Sequence, residues 1–401
     1  MNVVIISSSD SGGAGIAALR LHKALLAIGE NSHLLCFSKS SNIKNVVQIV
    51  KPLYCRILEH LPLPCWNNKY RKIAPLIDKD YECISFPESI DYLTNHPLIK
   101  NADVINLHWV GNHLAYKHFF EKVKKPIIWT LHDMNPFLGC AHFSRDIALH
   151  PQWHDIETRI RNKKEKWIHS AKHIEVIDLC TWMNKYSVES QALRRYPHHI
   201  IRNSVDTNIF KEYPRQAART LLDIPSNKPV LMFVSQNINN TRKGFDLLLN
   251  ALENIKQCYI MVIGACDKKF QIAGNVRYFG SVTDERLMAI LYAAADVFLL
   301  PSREDNLPNT MVESLCCGTP VVTMPNGGMT DIIKNGCNGY ISEDITSESF
   351  ATAINMFLES GVSMGRSDIS NDAQQIFSPS VQAMKYLTVY KHSIENYDKI
   401  F

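Results

Sequence analysis

No run of this 401-residue chain approaches the ~18 consecutive apolar residues of a membrane span, and the best candidate, Ala289 to Leu300, is interrupted by Asp296. No CxxC pair occurs, which argues against a structural zinc site, and no metal is expected. Internal repeats and low-complexity tracts are missing too. The opening Met1-Asn-Val-Val-Ile-Ile6 has neither a basic start nor a long apolar core, so no secretory signal is expected there. Eleven cysteines are scattered without a paired framework, two of them adjacent at Cys316 and Cys317. That usage suits a reduced, cytoplasmic chain. An excess of either sign of charge is missing too. The net value of +4 permits an anionic partner without requiring one, and no nucleic acid is expected.

What is present is the pattern of an α/β protein of two domains, each of roughly 200 residues. A hydrophobic fraction of 46% and a charged fraction of 20% suit a soluble globular chain. Val3 to Ser7, Ser32 to Phe37, Asp103 to His108, Pro126 to Leu131 and Ile174 to Ile177 read as buried parallel strands. The first leads into Ser9-Asp-Ser-Gly-Gly-Ala-Gly15 and a helix that Gly29 stops. Glycines there let backbone N–H groups approach an anion. Their spacing is not that of the dinucleotide fingerprint, which speaks against a nicotinamide oxidoreductase. A second set of strands comprises Pro229 to Ser235, Tyr259 to Gly264, Val276 to Gly280, Asp296 to Leu300 and Val321 to Thr323. Arg159 to Ile168 reads as a charged helix with a solvated face. Lys51 to Ile73 mixes Trp66 and other apolar residues with Lys51, Arg56, Lys69, Arg71 and Lys72. Such a stretch can lie in a bilayer interface; the alternative is a solvated insertion.

The segment Pro301 to Pro320, PSREDNLPNTMVESLCCGTP, organises the second half. It runs from a strand through a loop into a short helix that Gly318 ends, with Pro308 suited to the first helical position. The N–H groups of Leu307 to Thr310 would be unpaired at the helix start, a ready anion site. Carboxylates nevertheless flank it, Glu304 and Asp305 before and Glu313 one turn in. A nucleotide-diphosphate sugar satisfies both features, since it brings phosphate together with hydroxyls for carboxylates to hold. Upstream, Arg242 and Lys243 precede Gly244 and an amphipathic helix, and a cation there would stabilise charge growing on a leaving group. Two strands end in histidine, His108 and His132, where an open parallel sheet places its ligands.

Asp305 and Glu313 with seven residues between them, Gly318-Thr-Pro-Val-Val322, Lys243-Gly244, Trp129-Thr-Leu-His-Asp133 and the glycine loop together resemble one family. They are similar to the retaining glycosyltransferases of family 4, group 1 glycosyl transferases of polysaccharide-assembly type with the GT-B fold. The resemblance covers nearly the whole chain. It implies two Rossmann-like domains with parallel sheets facing across a cleft. Residues 1–205 would form the acceptor side, residues 206–380 the donor side, and a C-terminal helix of about 381–401 would pack back onto the first domain. In that family the lysine matching Lys243 neutralises the leaving diphosphate, aided by the helix start near Asn309. Glu313 would hold ribose, Asp305 or Glu304 the sugar, and Arg242, Asn306, Leu307, Pro308 and Thr310 would border the donor. Gly13 would lie at the phosphate, and His132 would orient the sugar.

The implied reaction is transfer of a hexosyl group, with retention, from a nucleotide-diphosphate sugar to a hydroxyl of a glycan or polyprenyl-linked acceptor. No cofactor beyond the co-substrate is implied, and peripheral contact with the inner membrane stays open beside the solvated reading of Lys51 to Ile73. Three positions depart from the pattern: Asp305 stands where glutamate is usual, Asn237 where arginine is usual, and Ser204 where glycine is usual. Two alternatives stay open, a non-catalytic nucleotide-sugar binding subunit and a GT-B sugar-nucleotide epimerase.

Overall fold

The computed structural model describes residues 1–53, 70, 72–253, 255, 257–266 and 275–399. Most of the Lys51 to Ile73 stretch, Trp66 included, lies outside the described residues. The chain forms two compact units, Met1–Arg202 with Gln382–Phe401, and Asn203–Val381. The division falls at 202/203, where the sequence reading set it at 205/206.

Unit 1 is built on seven strands: β1 Asn2–Ser9, β2 Asn31–Ser38, β3 Val46–Gln48, β4 Val104–Leu107, β5 Ile127–Leu131, β6 Ile174–Asp178 and β7 His198–Ile200. Their order is β3-β2-β1-β4-β5-β6-β7, and every pairing is parallel. Runs such as Ile127-Ile-Trp-Thr-Leu131 are buried along their whole length. Both faces of a parallel sheet are covered by helices, so such strands have no water side to mark with polar residues.

The helix Gly12–Ala27 covers one face. It starts earlier than the glycine spacing suggests. Gly13 and Gly15 lie in its first turn, and only Asp10 and Ser11 bridge the strand and the helix. Gly15 meets a steric demand, since a Cβ there would stand 2.6 Å from the Ser9 carbonyl oxygen.

Two helices differ from their sequence reading in instructive ways. The charged helix, His154–Ile168, is not merely a solvated face: Ile160 and Ile168 are buried, and Lys164 is only 1% exposed. The helix Pro379–Asp398 belongs to unit 1 from Gln382 onward. There Ala383, Tyr386 and Tyr390 pack against Val3, Ile5, Val104 and Ile128 of the sheet. Asn106 Nδ2 donates to the Tyr390 hydroxyl at 2.7 Å, and Thr130 Oγ1 and the Tyr386 hydroxyl are 3.0 Å apart.

Unit 2 carries a six-stranded parallel sheet, β8 Val230–Asn237, β9 Tyr259–Ala265, β10 Asn275–Gly280, β11 Val297–Leu300, β12 Val321–Thr323 and β13 Gly339–Ile341. The order is β10-β9-β8-β11-β12-β13, again with every pairing parallel. The core beneath it gathers Leu231, Phe233, Val262, Leu299 and Val322 with Leu248, Phe350 and Ile354 of the flanking helices. Among the described residues no helix is long and apolar enough to cross a membrane.

Candidate functional site

The carboxyl ends of β8, β11 and β12 carry three loops that fit into one another. After β8, Asn240 accepts from the Arg242 N–H at 3.0 Å and starts a tight turn over Thr241–Lys243. The turn closes at Gly244, with φ 71°, where a Cβ would stand 1.9 Å from the Pro301 carbonyl oxygen. Only glycine allows that approach. Arg303, after β11, holds the two loops together. Its N–H donates to the Arg242 carbonyl at 2.7 Å, and its guanidinium reaches the Thr241 carbonyl at 2.6 Å and both oxygens of Asp246. The loop after β12 seats on the same segment. A Cβ on Gly327, φ 58°, would stand 1.9 Å from the Asp305 carbonyl oxygen, and the Gly328 N–H donates to the Asn306 carbonyl at 2.5 Å.

This fit sets Asp305 among cations. Its Oδ2 is 2.5 Å from Lys243 Nζ and its Oδ1 is 3.6 Å from Arg242 Nη1, while Arg242 also donates to the Glu304 carbonyl at 2.8 Å. Burial alone would raise the Asp305 carboxyl, but Lys243 and Arg242 hold it below the usual carboxylate range. It is therefore an anion in a cationic frame.

The helix Asn309–Cys316 begins just beyond, with Pro308 as its cap rather than as its first helical residue. Asn309 Oδ1 accepts from Asn203 Nδ2 at 3.1 Å. Glu313 is buried one turn in, its Oε2 3.4 Å from the Tyr292 hydroxyl. Leu307 and Glu304 are buried and Thr310 is half-buried. Unit 2 thus brings together Arg242, Lys243, Glu304, Asp305, Asn306, Leu307, Pro308, Asn309, Thr310 and Glu313.

Gly13 and His132 lie in the other unit. His132 follows β5, and its Nε2 is 2.8 Å from His108 Nδ1, which follows β4. Burial pushes His132 down to about 4 and His108 well below its usual value, which favours two neutral rings with one donating to the other.

Beside them Asp133 accepts from Trp109 Nε1 at 2.6 Å and pairs with His142 Nδ1 at 2.6 Å. Burial would lower His142, yet the Asp133 carboxylate pushes it up to about 9. The Asp133 to His142 loop is held from below by the charged helix. Lys164 Nζ donates to the carbonyls of Asn135 and Gly139 at 2.6 and 2.5 Å, and Glu157 accepts from the N–H groups of Cys140 and Ala141.

Sequence reasoning missed Lys164, Glu157 and Arg303. A signal for Lys164 existed: it stands four residues from both Ile160 and Ile168 and so shares their buried face. Arg303 had none, because its partner Asp246 is 57 residues away. Among the described residues no three His, Cys, Asp or Glu side chains gather as a metal site.

Residues 228–360 match the sequence family Glycosyl transferases group 1. The lipopolysaccharide core biosynthesis glycosyltransferase LpsE of Rhizobium meliloti (strain 1021) is 31% identical over 145 residues, 34% of this chain and 41% of that protein. The chain spans under half the length of the first curated relatives it matches. Among solved structures, sucrose-phosphate synthase of Thermosynechococcus elongatus superposes with a TM-score of 0.70 at 15% identity, over 97% of this chain and 98% of that one. HepE of Anabaena in complex with UDP-glucose superposes with a TM-score of 0.61 at 17% identity, over 96% and 99%. Such likenesses bear on fold, and they agree with the two parallel sheets of seven and six strands. The chain therefore has the GT-B fold, and residues 228–360 of its second unit match the group 1 glycosyl transferases.

Proposed function

We propose that this chain is a retaining hexosyltransferase that takes its sugar from a nucleotide-diphosphate donor and passes it to a hydroxyl of a glycan or lipid-linked glycan. The observation that carries the reading is the Arg242, Lys243 and Asp305 cluster at the start of the helix Asn309–Cys316. Cations beside a helix N-terminus suit a diphosphate. In the free protein Asp305 stands as the counter-ion of Lys243. A donor diphosphate would take Lys243 over, which frees the Asp305 carboxylate to accept from a sugar hydroxyl. Glu313, buried one turn along, would accept from the ribose.

In this reading the bond between the anomeric carbon and the phosphate oxygen breaks as the acceptor oxygen attacks from the same face. The departing phosphate oxygen takes the acceptor's proton. Lys243 and the helix start stabilise the charge that grows on it, so neither a protein nucleophile nor a metal is required. His132, kept neutral by its surroundings, is suited to hydrogen-bond a sugar hydroxyl. Support for the donor class comes from HepE, which was captured with UDP-glucose. Support for a surface-glycan acceptor comes from the lipopolysaccharide core enzyme. On that acceptor, work at the cytoplasmic face of the inner membrane follows.

A second reading has one observation behind it. Asn237 stands where the resemblance expects an arginine, and its Oδ1 accepts from the Asn239 N–H at 2.9 Å. With one cation fewer, the chain would bind a donor without turning it over. A thermal-shift screen against UDP, GDP and ADP sugars, with and without EDTA, followed by an assay for released nucleotide, separates the two. A donor at about 100 times its dissociation constant adds ~2.7 kcal/mol of stability. Stabilisation insensitive to EDTA together with turnover is the expected result. Stabilisation without turnover on any glycan acceptor favours the binding subunit, and no stabilisation by any nucleotide sugar overturns both.

A further inference from the structure

The opposite edge of the second sheet holds a cavity that takes no part in the site above. It opens where Pro229, Asp296 and Pro320 lead into β8, β11 and β12 and measures about 530 Å³, a size usual for small-ligand pockets. The donor-side loops follow the other ends of the same strands. The four residues of β11, at about 3.3 Å each, set the two edges at least ~13 Å apart.

Four cations line this cavity, Arg215, Arg219, Lys228 and Arg366, against one carboxylate, Asp296. Asp296 is already engaged. It accepts from Arg215 Nη1 and Arg219 Nη2 at 2.6 Å each and from the Val230 N–H at 2.7 Å. Arg366 donates to the carbonyls of Ala293 and Ala295 and to Thr319 Oγ1, while its Nε–H is buried without an acceptor among the described residues. Burial, with Arg215 nearby, lowers the Arg366 guanidinium to about 10, so its charge is disfavoured where it stands. Glu212, the other carboxylate near it, accepts from Ser367 Oγ at 2.6 Å. Arg366 also opens the helix Arg366–Phe377, whose first N–H groups add positive potential. The facing wall is apolar, from Phe357 and Leu358 to Val362 and Met364.

We propose that this cavity is a second ligand site, built for a small organic phosphate whose phosphate lies on Lys228 and Arg366 and whose ring or apolar body lies on the Phe357 to Met364 wall. An anion there supplies the counter-charge that Asp296 alone cannot, and the apolar wall selects an ester over the free ion.

Calorimetric titration with phenyl phosphate tests this, with inorganic phosphate and benzyl alcohol as the two half-ligands. Phenyl phosphate is expected to bind more tightly than either half. Lys228→Glu, on a half-buried side chain outside the hydrogen-bonded set, is expected to weaken it at least about tenfold, and Lys243→Ala is expected to leave it unchanged. In the wild-type chain, amide exchange at residues 366–369 is expected to slow when phenyl phosphate is added, a readout that no variant's folding affects. Loss in Lys243→Ala but not in Lys228→Glu would assign the phosphate to the donor loops and overturn the proposal. Equal affinity for inorganic phosphate, no binding of phenyl phosphate up to about 10 mM, or unaltered exchange at residues 366–369 overturns it as well.

Discussion

Asp305 is the residue on which the loops after β8 and β11 turn, because its carboxylate, only 13% exposed, meets Lys243 and Arg242. Removing one member of a buried ion group leaves the others uncompensated and costs about 3–5 kcal/mol. Asp305→Asn is therefore expected to destabilise unit 2 by an amount of that order in urea unfolding; a change under about 1 kcal/mol would mean that solvent already screens the cluster. Lys243→Ala and Glu313→Ala are expected to lower turnover by at least ~10²-fold if both act on the donor as proposed. A loss below about threefold in both, measured by nucleotide release, would remove them from that role.

In unit 1 the titrating pair is His142 with Asp133. The folded state holds the histidine at about 9, above its ordinary 6.5. The stability this pair contributes is complete below about pH 6.5 and is lost as pH rises through about 9. Melting temperature should fall across that window in the wild-type chain and fall less in His142→Gln. Parallel profiles would show that the pair contributes nothing.

At the scale of elements, glycines and one buried lysine set the loops in place. Gly244 carries a positive φ against the Pro301 carbonyl, so Gly244→Ala should both destabilise unit 2 by at least ~1 kcal/mol and displace Lys243. A variant with native stability and native turnover would show that the turn adapts. Lys164 satisfies the carbonyls of Asn135 and Gly139 from within a helix that otherwise looks solvated. Lys164→Met keeps the stem and removes the donor, leaving two buried acceptors at ~1–3 kcal/mol each. Faster amide exchange confined to the Asp133 to His142 loop is the expected signature, and unaltered exchange there would count against the anchoring role. The helix itself was legible from its charge and length. Its buried face was marked by spacing alone, since Lys164 lies four residues from both Ile160 and Ile168, while the charge of five lysines and arginines points to solvent.

For the whole molecule, the chain leaves unit 1 at Arg202 and returns at Gln382, so the helix Pro379–Asp398 completes a sheet begun nearly the whole chain earlier. Tyr386 and Tyr390 are buried, and their hydroxyls meet Thr130 and Asn106 on the strands that lead to His132 and His108. Deleting residues 382–401 should uncover that face, and limited proteolysis of unit 1 is expected to quicken sharply. Equal resistance in the truncated chain would mean that the helix is dispensable.

By itself the sequence determined the class of fold. Buried parallel strands read as unbroken apolar runs, amphipathic helices repeat between them, and glycine and proline punctuate both, all within a few residues of each other. Strand β12, Val321–Thr323, matches its reading residue for residue. The ends of β4 and β5 likewise placed two histidines at equivalent positions. Only the tertiary structure decided which side chains meet: Lys243 with Asp305 across 62 residues, Arg303 with Asp246 across 57, Arg219 with Asp296 across 77. Those pairings depend on strand order and on how closely loops approach, and neither is written in local periodicity. A carboxylate's partner is fixed by the sheet that brings the two together.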